Sequence, residues 1–169
     1  MMSQIAIEQI KAPTETAQLD ELLWEVLWKP LGLARNVRDS FKLEGKCLEF
    51  CARIEGALIA GLVANWTSPT EVELRHIAVR PENQKQGIGA QLVAVLLRHV
   101  SVQGCTRMHT IARNTAAHFF RKLGFTTAPG EPPEHPLFKK HGITFELLEK
   151  SVEQEHGGDV LKAAPHASR

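Results

Sequence analysis

The run VRPENQKQGIGA, residues 79–90, is the stretch of this 169-residue chain whose residue types and spacing most readily do chemistry. Pro81 cannot extend a strand, and Gln84, Lys85, Gln86, Gly87, Ile88 and Gly89 spell QxxGxG at the point where an amphipathic helix begins. Glycine is costly in the first turn of a helix. Without a Cβ, however, it lets bare backbone N–H groups, reinforced by the helix dipole, come close to an anion. The loop fits a pyrophosphate. A dinucleotide fingerprint would need GxGxxG and a nucleotide P-loop GxxxxGK, and neither pattern is present. Taken alone, the same residues also read as a plain Gly-rich turn between strand and helix.

The strand before this loop carries a second signal. In residues 71–79 the apolar side chains change parity, with Val72 and Leu74 at even positions and Ile77 and Val79 at odd ones. An unbroken strand cannot place both pairs on one face, so the pattern predicts a bulge near Arg75 or His76. A bulge there would splay this strand from its parallel neighbour. Backbone groups beyond residue 76 would then be free to pair with an amide-rich ligand such as pantetheine.

The elements that must position these residues follow from periodicity and punctuation. Residues 4–10 read as a first strand, and Thr14 as the cap of a helix that runs to about Trp28 and is stopped by Pro30. Residues 31–45 are irregular or carry a short helix. Strands over 47–54 and 57–66 form a hairpin about Glu55-Gly56, and a third strand covers 71–79. Leu92, Val95, Leu96 and Val100 recur at helical spacing over 89–100. A strand over 107–112 precedes a helix capped by Asn114 that ends at Leu123 and Gly124, and Phe125 opens another short strand. Pro129, Pro132, Pro133 and Pro136 stiffen a loop, and residues 143–149 form the last strand. The expected organisation is a single α/β domain over residues 1–150, a central mixed sheet with helices on both faces, followed by a mobile polar tail over 151–169.

With these residues in place, HIAVRPENQKQGIGAQL resembles the acetyl-CoA-binding motif of the GNAT superfamily, and NTAAHFFRKLGF resembles its second motif, one helix and one strand later. The resemblance covers roughly residues 71–128. It implies a GNAT fold whose mixed sheet is splayed at the bulge in the fourth strand, and an acyltransferase that moves acetyl from acetyl-CoA to a primary amine of a small molecule or peptide. It also implies that Ile77, Ala78 and Val79 meet pantetheine and that residues 84–90, Gln84 to Ala90, hold the pyrophosphate. Asn114, Ala117 and Phe120 would line the other side of the coenzyme. A plain N-cap for Asn114 and plain core packing for Phe120 are the alternative readings.

For the chemistry, an amine attacking a thioester needs a base, a donor to the oxyanion and a route for the leaving thiolate. By analogy the donor is the Val79 N–H. Glu73 lies where some histone-acetylating members of the family carry a base, although Glu71, Glu73 and Arg75 also read as the polar face of a half-exposed strand. His76 is the rival base, with a histidine's ordinary pKa near neutrality. The family often carries a tyrosine acid at the position of Phe120, yet this chain contains no tyrosine. That leaves His118, Cys105 or water to protonate the sulfur, or a thiolate that departs unassisted. It also keeps a catalytically silent acyl-CoA sensor, or the use of another acyl group, among the alternatives.

Composition narrows the partners. Twenty basic residues face nineteen acidic ones without a long run of either, which argues against nucleic acid. The N-terminus has neither a basic nor an apolar leader region, and no apolar run reaches membrane-spanning length, so a cytoplasmic protein is expected. Three cysteines and eight scattered histidines lack any zinc spacing, so no metal is expected. Leu19, Leu22, Leu23, Val26 and Leu27 form the buried stripe of the first helix, with Trp24 and Trp28 off its centre. The two tryptophans line an acceptor pocket with Phe41 and the Pro-rich loop, pack in a homodimer interface, or are covered by residues 31–45.

Overall fold

The computed structural model describes residues 4–41 and 45–154. Among them the strands β1 (Ile5–Gln9), β2 (Cys47–Ile54), β3 (Ala57–Ser68), β4 (Glu71–Val79), β5 (Arg107–Arg113), β6 (Thr126–Thr127) and β7 (Phe145–Ser151) form one sheet in the order β1-β2-β3-β4-β5-β7-β6. Only β4 and β5 pair in parallel; the other neighbours are antiparallel. The helices are α1 (Pro13–Leu23), α2 (Ile88–Ser101), α3 (Ala117–Lys122) and the single turn α4 (Pro136–Lys139).

Apolar residues fill both faces of the sheet. On one face Ile88, Leu92, Leu96 and Val100 of α2 and Phe120 of α3 pack on Leu48, Leu62, Val72 and Leu74. On the other, Leu19, Leu22 and Leu23 of α1 join Trp28, Cys51, Val63, Ala78 and Phe138. The hairpin between β2 and β3 turns through Glu55 and Gly56, both at positive φ, which matches the right-handed twist of the flanking strands. No helix among the described residues is long and apolar enough to cross a membrane.

The first helix departs from expectation at both ends. Thr14 does not cap it: the helix starts at Pro13, whose fixed φ suits the first helical position, with Ala12 before it and no side-chain cap. After Leu23 the coil widens into a π-helical turn over Trp24–Trp28, where the Lys29 N–H bonds to the Trp24 carbonyl. One extra residue in the turn advances the helical phase by about 100°. Trp28 therefore points into its own chain, 2% exposed, where regular α-helical phase would have left it off the buried stripe. Trp24 is covered by the following segment: its indole N–H donates to the Leu33 carbonyl at 2.9 Å, and the Arg35 guanidinium lies 4.5 Å from its ring centre.

The last strand also runs further than expected, to Ser151. Val152 is 9% exposed in the main core, its N–H bonds to the Thr106 carbonyl at 2.9 Å, and the Gln154 amide donates to the Cys105 carbonyl. Ordered structure thus continues past residue 150, and the tail predicted over 151–169 lies outside the described residues from 155 onward.

Candidate active site

The parity change in β4 is resolved by one inserted residue. Val63 pairs with His76 and Ala64 with Leu74, so Arg75 is the unpaired residue of a β-bulge. On the other edge of β4, parallel pairing with β5 runs from Glu71–Arg107 to Leu74–Thr110 and ends there. The Thr110 hydroxyl marks the end by donating to the Leu74 carbonyl at 2.8 Å, satisfying a group that the lost ladder would leave orphaned. Beyond this point β4 and β5 diverge.

Backbone direction along β4 then determines what faces the gap. The Arg80 N–H bonds to Ile59 of β3, and amides alternate along extended chain, so those of Ile77 and Val79 point away from β3 into the opening. The Val79 carbonyl, on the same side, accepts from the Gln84 side-chain amide at 2.9 Å. Ala78 is turned the other way, its methyl buried among the α1-side residues.

At the mouth of the gap, residues 84–87 lead into α2. Gly87 precedes the helix at φ 79°, a left-handed conformation that a Cβ would strain, although nothing lies within 4 Å of where that Cβ would sit. Gly89 is tight for a different reason: a Cβ there would stand 3.2 Å from the Phe119 ring of α3, which would have to give way. The first helical bond is Gln91 N–H to Gly87, which leaves the N–H groups of Ile88, Gly89 and Ala90 ahead of any helical acceptor. Gln84, Lys85 and Gln86 are exposed beside them.

The second predicted motif lies across the gap, with one change. Asn114 does not cap α3, whose N-cap is Ala116 without a side-chain bond. Its amide instead accepts from the Thr144 N–H at 3.2 Å and donates to the Gly142 carbonyl at 3.4 Å, tying the end of β5 to the segment before β7. Ala117 and Phe120 are both buried, and Phe120 stacks edge-on to Phe119 and Phe125.

Between the diverging strands is a cavity of about 260 Å3, lined from both faces of the sheet. Glu73, His76, Ile77, Arg113 and Phe120 line it, together with Trp28, Phe41, Phe138 and the Pro133–His135 part of the proline-rich loop. Glu73 is 8% exposed and accepts from Arg75 at 2.6 Å; Arg75 also donates to the Phe41 carbonyl. The bulged residue thus clamps the carboxylate to the cavity rim. Arg113, Thr110 and Phe119 had no sequence signal beyond lying in the right strand or helix.

His76 differs from expectation in its titration. It sits edge-on to Trp28, ring centres 5.1 Å apart, and 6.1 Å from Phe41. Burial, and then the charges of Arg75, Arg38 and Arg113, lower its pKa to about 3, so it is a neutral ring and a weak base rather than a group poised near neutrality. Unfolded His76 takes up a proton below its ordinary pKa of 6.5, whereas the folded residue does so only near 3. Its contribution to stability is therefore complete above pH 6.5 and is lost as pH falls through that window, by at most about 1.4 kcal/mol per pH unit. Urea melts at pH 7.5, 6 and 5 should show the wild type losing stability more steeply than His76→Asn; equal slopes would disprove the buried neutral ring.

The cysteines and acidic clusters lie elsewhere. Cys105 is fully buried beside the start of β5, its thiol directed at the Arg107 carbonyl and its pKa raised by burial, so it offers no proton at the gap. His118 is exposed on α3. Glu8, Glu15 and Cys51 group their ligand atoms within 4.8 Å, but both carboxylates pair with Arg53, at 3.3 and 3.2 Å.

Residues 46–127 match the acetyltransferase (GNAT) domain, a span that takes in the bulged strand, the glycine loop and α3. Among solved structures, the chain is similar to the ribosomal-protein-S18-alanine N-acetyltransferase of Escherichia coli, with 18% identity, 91% of this chain and 97% of that one covered and a TM-score of 0.69. It is also similar to the PaiA N-acetyltransferase of Thermoplasma acidophilum in complex with coenzyme A (16% identity, 88% and 99% covered, TM-score 0.66). An aminoglycoside 6'-N-acetyltransferase complexed with coenzyme A is a third (16% identity, 89% and 98% covered, TM-score 0.67). At these identities the neighbours establish the shared fold, and the likeness to the acetyltransferase (GNAT) domain rests on residues 46–127.

Proposed function

We propose that the protein is an N-acetyltransferase that moves acetyl from acetyl-CoA to the primary amine of a small molecule or peptide by direct attack in a ternary complex. The observation that carries this reading is the opening of the sheet at Arg75, which turns the amides of Ile77 and Val79 toward a gap whose mouth is the N-terminus of α2. Pantetheine, with its two amides, would continue the interrupted ladder along Ile77 and Val79. The N–H groups of residues 86–90 and the dipole of α2 would hold the pyrophosphate.

In the transfer, the amine nitrogen bonds to the thioester carbon and the carbonyl oxygen becomes an oxyanion, which the Val79 N–H stabilises. Glu73 takes a proton from the amine, directly or through water. Collapse of the intermediate breaks the C–S bond and releases the thiolate. Phe120 supplies no proton, and Cys105 is buried away from the gap. Departure of the thiolate without a protein acid suits a thiol with a pKa near ~8.5, and His118, exposed on α3, or water remains as a proton source.

Amide hydrogen exchange tests the reading. Adding acetyl-CoA should slow exchange at Ile77, Val79 and residues 88–90 at least about tenfold, because each gains an acceptor. Supplying an accepted amine should then release free thiol. Unchanged exchange at Ile77 and Val79 would exclude the gap as the coenzyme site, and protection without thiol release from any amine would favour an acyl-CoA sensor.

A further inference from the structure

We infer that the acceptor carries a carboxylate, held by Arg113, and an apolar or aromatic body, so that it is a free amino acid or a close derivative. This rests on the cavity between β4 and β5 being the acceptor site. Each other arginine of this region is committed to a carboxylate. Arg75 pairs with Glu73, and Arg38 pairs with both Asp20 and Glu49. Arg113 lines the cavity, half-buried, with one guanidinium nitrogen on the Leu27 carbonyl at 2.9 Å and its plane 5.3 Å from the centre of the Phe138 ring. Among the described residues no carboxylate pairs with it.

Burial among apolar groups without a counter-ion is unfavourable for a guanidinium, and it lowers the pKa of this one. An arriving carboxylate would relieve that cost and use the fork's remaining donors in a charge-assisted pair. Trp28, Phe41 and Phe138 supply apolar walls for the rest of the molecule. At about 260 Å3 the cavity has room for an amino-acid side chain.

The test compares acceptors that differ only in the carboxylate. Thiol release from acetyl-CoA is measured with leucine, methionine and phenylalanine, with their amides, and with the matching amines that lack the carboxyl carbon. Wild type should favour the free acids by about 10- to 100-fold in kcat/KM, the range for a hydrogen bond to a charged group. In Arg113→Gln that preference should collapse while acetyl-CoA affinity, measured by calorimetry, is retained; Arg113→Lys should keep part of it. Wild type accepting all three sets alike overturns the carboxylate and needs no variant to fold. A preference that survives Arg113→Gln overturns the assignment to Arg113, as does a loss of acetyl-CoA affinity, which would place the guanidinium on the coenzyme. If none of these compounds, nor a wider set of amines, releases thiol, the acetyltransferase reading itself fails.

Discussion

Replacing Glu73 by glutamine should lower kcat by roughly 10² to 10⁴ while leaving the affinity for acetyl-CoA nearly unchanged, the loss expected when a positioned general base is removed. The substitution keeps the shape of the side chain and an oxygen that can still accept from Arg75, so the protein should fold, with a lower melting temperature because the largely buried Arg75 guanidinium loses its counter-ion. A base that titrates also gives a rising acid limb in the pH–rate profile, and that limb should disappear in the glutamine variant. His76 cannot supply a limb near pH 6.5, because its pKa is lowered to about 3. In His76→Asn the limb should therefore stay where it is. A folded Glu73→Gln enzyme with near-normal turnover would show that no side chain is required as base. The rate would then follow the pKa of the acceptor, with water removing the proton.

The second large effect concerns Gly87. A valine there has open space for its side chain but inherits a φ of 79°, so the loop must rearrange and the amides that follow must turn with it. Left-handed backbone costs a residue with a Cβ about 1–2 kcal/mol, and a β-branched residue more. The protein should fold, with a modest drop in melting temperature, while acetyl-CoA affinity falls at least about tenfold, or ~1.4 kcal/mol. Gly89 is a poorer probe of the same idea, since a side chain there meets Phe119 and would disturb packing between α2 and α3. Calorimetric affinity equal to wild type in a folded Gly87→Val protein would remove the loop from the coenzyme site.

What could be read in advance, and what could not, divides along physical lines. The bulge was legible because strand side chains alternate strictly, so a change of parity from Val72 and Leu74 to Ile77 and Val79 has few structural solutions. The hairpin was legible because Glu55-Gly56 suits only a narrow class of turns. By contrast, the π-helical turn leaves no trace where Val26, Leu27 and Trp28 are all apolar, because any phase of the helix then buries something apolar. Asn114 sits where a capping residue belongs, but its partners lie 28 and 30 residues further along the chain. Arg113 reaches a carbonyl 86 residues away, and the low pKa of His76 comes first from burial beside Trp28 and Phe41, which arrive from distant segments, and then from Arg75, Arg38 and Arg113. Local pattern located the strand, the loop and the helix of the candidate site. The electrostatics of the cavity exist only once distant segments have met.

In the language of crystals, the inserted residue at Arg75 is a line defect, and one that the lattice around it cannot anneal. Sliding the second half of β4 by one position would close the gap, but it would also exchange Ile77 and Val79 with His76 and Ala78 across the sheet. Imidazole would enter the aliphatic layer under α2, and two branched side chains would displace the edge-on contact with Trp28. Each hydrophobic layer thus pins the dislocation from its own side. The opening is a permanent vacancy in the hydrogen-bond lattice, present before any ligand arrives, so a molecule bound there would not have to break the sheet to enter it.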